Sequence, residues 1–149
     1  MAKRERVDIL KKKLNNDSFY KLDCVFDDFE NHKITSIIYL YVLAGFSAID
    51  VRPDIDSVIQ AKETIIKAMN YAIKLEEPIL EEPFLIISCY SSELKNKDLD
   101  VFENFLRLSK KKGVDFFELH IDTADLDLIK DKLLLVKKVF NFNPISINI

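Results

Sequence analysis

Apolar residues along this chain switch repeatedly between two spacings. In 117–122, Phe117, Leu119 and Ile121 alternate with Glu118, His120 and Asp122, the period of a strand with one apolar and one polar face. The same alternation predicts a first strand over Phe19–Phe26, with Tyr20, Leu22, Cys24 and Phe26 opposite Lys21, Asp23 and Val25. It predicts a second over Ala48–Arg52, stopped by Pro53, and a third over Phe84–Tyr90, where Ile86, Ser88 and Tyr90 oppose Leu85, Ile87 and Cys89. A fifth, Ile145–Ile149, follows Pro144 and carries Ser146 and Asn148 on its polar face. Between these runs the spacing becomes helical. Val7, Leu10 and Leu14 predict a short helix over about 5–15. Ile34, Ile37, Ile38, Tyr41 and Val42 mark a second helix, and Ile55, Val58, Ile59, Ile66, Met69 and Ile73 a third over about 54–75. Val101, Phe102, Phe105 and Leu106 mark the next, and Ile129, Leu133, Val136 and Phe140 the last, capped by Asp122 or Thr123. Residues 76–83 and 91–98 read as loops.

The only two glycines, Gly45 and Gly113, close two of the helices, where a left-handed residue is wanted. Each opens the same unit: Gly, three residues, apolar, acid, apolar, base, one residue, Asp, running to Asp54 and Asp122 respectively. Strict strand–helix alternation predicts an α/β domain with a parallel sheet and right-handed crossovers. An open doubly wound sheet is the alternative; its strands, buried on both faces, read as continuous apolar runs. Here one face gathers Lys21, Asp23, Asp50, Arg52, Ser88, Glu118, His120, Ser146 and Asn148. Covering those charges unpaired with apolar helices would cost several kcal/mol each. A TIM-barrel-like partial barrel of about five (βα) strands, with that face turned inward, is therefore preferred. A complete barrel has eight strands and about 250 residues, so five strands imply a fragment, closure by dimerisation, or the open sheet.

At 149 residues the chain is expected to form one domain. Apolar content of 48% and charged content of 32% suit a globular protein, and a net charge of -3 gives no reason to expect nucleic acid. The basic opening from Lys3 to Lys13 reads as the solvated face of an amphipathic helix. Cys24 and Cys89 share the apolar side of their strands and read as buried thiols; no Cys or His spacing suggests a metal or a cluster. No signal peptide is evident, and Ile37–Phe46 is too short to span a bilayer. A cytoplasmic protein without membrane contact is expected, with no cofactor.

Sites in parallel βα folds lie at the carboxyl ends of the strands. The candidates there are Lys21, Asp50, Glu118 and His120 for catalysis, and Asp23, Arg52, Ser88, Asp122 and Asn148 for ligand binding, with Asp54 and Tyr90 nearby. Lys21 has two readings: a Schiff-base nucleophile or proton carrier, or an internal ion pair with Asp50 or Glu118. His120 reads as a general acid or base tuned by Glu118 or Asp122, or as a hydrogen-bonded structural histidine. Arg52 reads as an anion clamp or as an internal partner of Asp23 or Asp122. His32, at a helix start, reads as surface. With two glycines in the chain, no Gly-rich loop exists to cradle a phosphate.

Phe19–Cys24, Tyr41–Asp54, Pro83–Ser88 and Gly113–His120, in that order, resemble the barrel-like part of the cyanobacterial light-dependent-period protein family. That family is an iron–sulfur, redox-sensing input to the circadian clock. The resemblance implies a barrel-like fold and a regulatory role. The family's cysteine-rich, ferredoxin-type insert follows the third strand, where this chain has only Ser91–Lys112 without cysteine. The cluster is therefore not implied. The expected function is a regulatory or partner-binding βα domain, with a homodimer or a protein partner. The alternative is a small-molecule lyase or isomerase using Lys21, Asp50, Glu118 and His120.

Overall fold

A computed structural model describes residues 3–24, 31–77, 81–140 and 145–148, with the backbone alone described at 3, 4, 31, 32 and 145–148. The elements run α1 (Lys3–Asn15), β1 (Lys21–Asp23), α2 (Asn31–Leu43), β2 (Ala48–Val51), α3 (Ile55–Lys74), β3 (Phe84–Tyr90), α4 (Ser91–Leu94), α5 (Leu99–Lys111), β4 (Phe116–His120), α6 (Leu126–Val139) and β5 (Ile145–Asn148). The strands form one five-stranded sheet in the order β1-β2-β3-β4-β5, and every adjacent pair is parallel.

Strand order decides between the two architectures. In a doubly wound sheet the order reverses at a switch point, which sends helices to both faces. Here the order never reverses, so right-handed crossovers place successive helices on one face. The packing agrees. Ile49, Val51, Leu85, Ile87, Cys89, Phe117 and Leu119 form one apolar cluster with residues of α2, α3, α5 and α6, such as Ile38, Ile65, Phe102 and Val136. The chain is a TIM-barrel-like partial barrel, with its helices outside.

The sheet is curled. Neighbouring strands lie about 4.8 Å apart, so β1 and β4 would stand about 14 Å apart in a flat sheet. Lys21 on β1 nonetheless reaches Glu118 on β4 at 2.6 Å. It also climbs the sheet: its register partner on β2 is Ala48, but its ionic partner there is Asp50, two residues on. That diagonal is the stagger that strands tilted against a barrel axis require.

The amino end of the inner face has its own cover. Leu10 and Ile9 of α1, with Phe19, pack on Ala48, Phe84, Ile86 and Phe116. Arg6 fixes α1 there: its guanidinium donates to both carboxylate oxygens of Asp115 at 2.7 Å and lies over the Phe84 ring. Asp115 Oδ2 also accepts the Leu85 backbone N–H at 2.9 Å. The helix predicted from Val7, Leu10 and Leu14 is present, but Leu14 is exposed.

Gly45 and Gly113 both follow helices with positive φ, +81° and +98°. At Gly113 a Cβ would also meet Lys62 Cε at 3.1 Å. Several boundaries differ from the periodicity. β1 is only three residues, and Tyr20 is 60% exposed rather than in the core, because the described sheet pairing begins at Lys21. Val25 and Phe26 lie outside the described residues. Residues 91–98 are not simply loop, since Ser91–Leu94 form a helical turn held by the Glu93 carboxylate accepting the Tyr90 N–H at 2.9 Å. On α3 the buried stripe is Val58, Ala61, Ile65, Ala68 and Ala72, while Ile66 and Ile73 face solvent. Ala61, Ala68 and Ala72 share that stripe with Val58 and Ile65, which periodicity in the large aliphatics alone does not show.

Candidate functional site

Above the apolar floor, the inner face becomes ionic. Asp50 is fully buried, and its in-register neighbour on β3 is Ile86 of that floor. Its Oδ2 accepts from Lys21 Nζ at 3.0 Å and from Ser88 Oγ at 2.6 Å. Its Oδ1 is buried and accepts no hydrogen bond. Burial pushes the Asp50 carboxyl up to about 6; the Ser88 hydroxyl and the Lys21 charge pull the other way, and the Glu118 charge adds to the rise.

Lys21 Nζ donates to Glu118 Oε2 at 2.6 Å as well, so two carboxylates share one ammonium. Burial alone would depress the lysine, but the Glu118 hydrogen bond and the Asp50 charge outweigh it, and its pKa is raised. A Schiff-base lysine needs the opposite shift, towards a free amine at neutral pH. Both carboxylates weighed as ionic partners are engaged at once, which leaves Lys21 a cation that holds the layer together.

The ionic layer continues to His120. Its Nε2 lies 3.5 Å from Glu118 Oε1, and its ring stacks on Tyr90 at 4.7 Å with planes 21° apart. Lys21, Asp50, Ser88, Glu118 and His120 thus form one contiguous set contributed by four strands. Asp50 and Glu118 both face Lys21, so the Asp50 carboxyl raised to about 6 sits within a set of interacting charges.

The remaining predicted residues are placed as follows. Asp23, in register with Asp50, ends β1 and is exposed. Arg52 lies just past β2, 3.9 Å from Asp54. Asp122 is not in β4, which ends at His120. It caps the following 3-10 turn, accepting the Ala124 N–H at 3.0 Å. Asn148 is in register with His120, but its side chain and that of Ser146 lie outside those described, as does that of His32. Both cysteines are buried with free thiols whose pKa values burial raises.

A cleft of about 720 Å³ opens at the carboxyl ends of β3 and β4, bordered by Tyr90, Ser91, Lys95, His120, Asp122 and Asp125. Its floor is braced. Ser91 Oγ donates to Asp125 Oδ2 at 2.8 Å and accepts the Asp122 N–H at 3.1 Å, and Lys95 Nζ reaches Asp125 Oδ1 at 3.3 Å. Sequence periodicity does not reveal Ser91, Lys95 and Asp125. The turn carrying Ser91 is too short to show a period, and Asp125 is brought to it only by the β3–β4 pairing. His120 borders both the cleft and the ionic layer.

No family model and no curated protein matches the chain. Among solved structures it is similar to a Toxoplasma gondii ME49 protein provisionally named deoxyribose-phosphate aldolase, with a TM-score of 0.59 and 15% identity over 87% of this chain and 46% of that one. It also aligns with a Bombyx mori aldo-keto reductase solved with NADP, with a TM-score of 0.48 and 16% identity over the same shares. The first, a TIM-barrel protein, agrees with the partial barrel read from strand order. The chain spans about half the length of these neighbours.

Proposed function

We propose that this domain carries an acid–base site for a small molecule, of the lyase or isomerase type, at the carboxyl ends of its strands. The observation that carries the reading is Asp50. A fully buried carboxyl with one unpartnered oxygen, raised to about 6, is held beside a lysine and a second carboxylate that touches His120. A buried, perturbed carboxyl with a specific charge partner, linked through Glu118 to a histidine that lines a cleft, marks a candidate reaction centre. His120 presents the proton to the cleft, Glu118 orients the imidazole, and Lys21 holds Glu118 in place. Asp50 sets the charge of the layer by holding or releasing a proton near neutrality. Proton abstraction next to a carbonyl is the reaction class this set serves.

The test is deuterium exchange, followed by NMR, into pyruvate and dihydroxyacetone with the full chain in D2O. Exchange above buffer that falls at least tenfold in His120→Gln and in Asp50→Asn supports the site. Exchange equal to buffer, or unchanged in both variants, rejects it.

A second reading, a cytoplasmic regulatory domain related to the light-dependent-period family, is favoured by the ordered resemblance. Lys21 also pairs with Asp50 and Glu118 without any ligand. On that reading the ionic layer is structural, and a second copy or another protein covers the open inner face. Light scattering on the purified chain checks this: a dimer or a stable complex favours it, and a monomer at all concentrations counts against self-association.

A further inference from the structure

The cleft beside the ionic layer has a chemical character of its own. Resting on the acid–base reading above, we infer that its ligand is a neutral polyhydroxy compound, an unphosphorylated sugar or polyol, seated on Tyr90 between Lys95 and Asp122. At about 720 Å³ the cleft lies within the range of small-molecule sites. Its position, over two adjacent strand ends, is where such folds bind ligands.

Charge excludes the simpler anions. The cleft holds Lys95 against Asp122 and Asp125, so its fixed charge is negative. Lys95 is already committed in part to Asp125. A phosphate or carboxylate ligand offers acceptors only and would face two like-charged groups. An alkylammonium offers donors only and would leave the Lys95 N–H groups that face the cleft without an acceptor. A hydroxyl both donates and accepts, which matches a cleft that presents carboxylate acceptors and ammonium and Ser92 hydroxyl donors together.

The aromatic wall supplies the second part. Tyr90 is 47% exposed, yet its ring is held flat by the stack on His120. An exposed, immobilised ring is the surface that the C–H face of a sugar covers, because it removes apolar area from water on both partners. The seat is pre-formed: Glu93 holds the Tyr90 backbone, Ser91 ties Asp122 to Asp125, and Asp125 steadies Lys95. Pre-formed seats lose less entropy on binding. His120 also lines the cleft and is the one group shared with the ionic layer.

Saturation-transfer NMR with D-ribose, D-glucose and D-ribose 5-phosphate on the full chain tests the inference. We expect transfer to the ring C–H protons of at least one free sugar, and weaker binding of the phosphate ester by about fivefold or more. Tyr90→Ala should weaken sugar binding at least tenfold, and Tyr90→Phe should retain it, with unchanged circular dichroism in both. No transfer to either free sugar, tighter binding of the phosphate, or full binding by Tyr90→Ala would overturn it. The two readings fail separately. Proton exchange dependent on Asp50 without sugar binding rejects the polyol and keeps the acid–base site. Sugar binding without any exchange keeps the cleft and rejects the chemistry.

Discussion

The two ends of the inner face are built from the same strands and have opposite chemistry. At the amino end, Ala48, Phe84, Ile86 and Phe116 lie under α1 in a small apolar cluster. One step towards the carboxyl end, the same strands carry Asp50, Ser88 and Glu118; Lys21 joins the two carboxylates, and Ser88 donates to Asp50. As a plug, α1 covers the apolar floor at the lower end, and burial raises the Asp50 carboxyl above it to about 6. If the cover keeps water from that floor, the two ends are electrostatically coupled.

Substitutions can break this coupling from either side. The largest effect is expected for Lys21→Met, which leaves Asp50 and Glu118 without their shared cation; the fold should lose about 3–5 kcal/mol at neutral pH in urea denaturation. A loss below about 1 kcal/mol would mean that the layer is not buried as a unit. Next comes Asp50→Asn. Folded Asp50 holds its proton more tightly than the unfolded chain does, so its favourable contribution is whole below its ordinary 3.8 and is lost as pH rises through about 6. Asn does not ionise. Relative to the parent, Asp50→Asn should therefore gain up to about 3 kcal/mol between pH 3.5 and pH 7.5. A difference that does not vary with pH would place the Asp50 pKa near normal.

Leu10→Ala attacks the other end. It should cost about 2–3 kcal/mol as a large-to-small change in the plug. If the floor sets the charge of the layer, the Asp50 carboxyl, followed by carbon-detected NMR, should also move down towards its ordinary range as water enters. An unchanged carboxyl with a destabilised fold would uncouple the two ends. The smallest effect on stability is expected from Tyr90→Ala, under about 1 kcal/mol, since the ring is half exposed; its consequence is for the cleft alone.

Much of this was legible in the sequence, for a physical reason. Period-two alternation assigns Lys21, Asp50, Ser88, Glu118 and His120 to one face without any knowledge of the fold, and all five are found there. What periodicity cannot give is distance between strands that are not neighbours. Lys21 and Glu118 are three strands apart, and only the curl of the sheet brings them together. The role of α1 was hidden for a similar reason, because an amphipathic helix declares that it will be half buried, not against what. Asp122 read two ways, as the last step of the acid–apolar alternation and as a cap; β4 ends at His120, and Asp122 caps the turn that follows. Ser91 and Asp125 carry no pattern at all; they meet through tertiary structure.

Because all five strands follow in order, α2, α3, α5 and α6 rest on one face and take no part in the other. The chain is therefore written in two interleaved texts along a strand such as β3: odd positions for architecture and, beyond the apolar floor of Phe84 and Ile86, even positions for chemistry. A lineage that inherits this layout can revise the second text letter by letter while the first stays legible to the folding process. New specificity then arises by drift at Tyr90, Ser88 or His120 without reopening the question of how the protein folds.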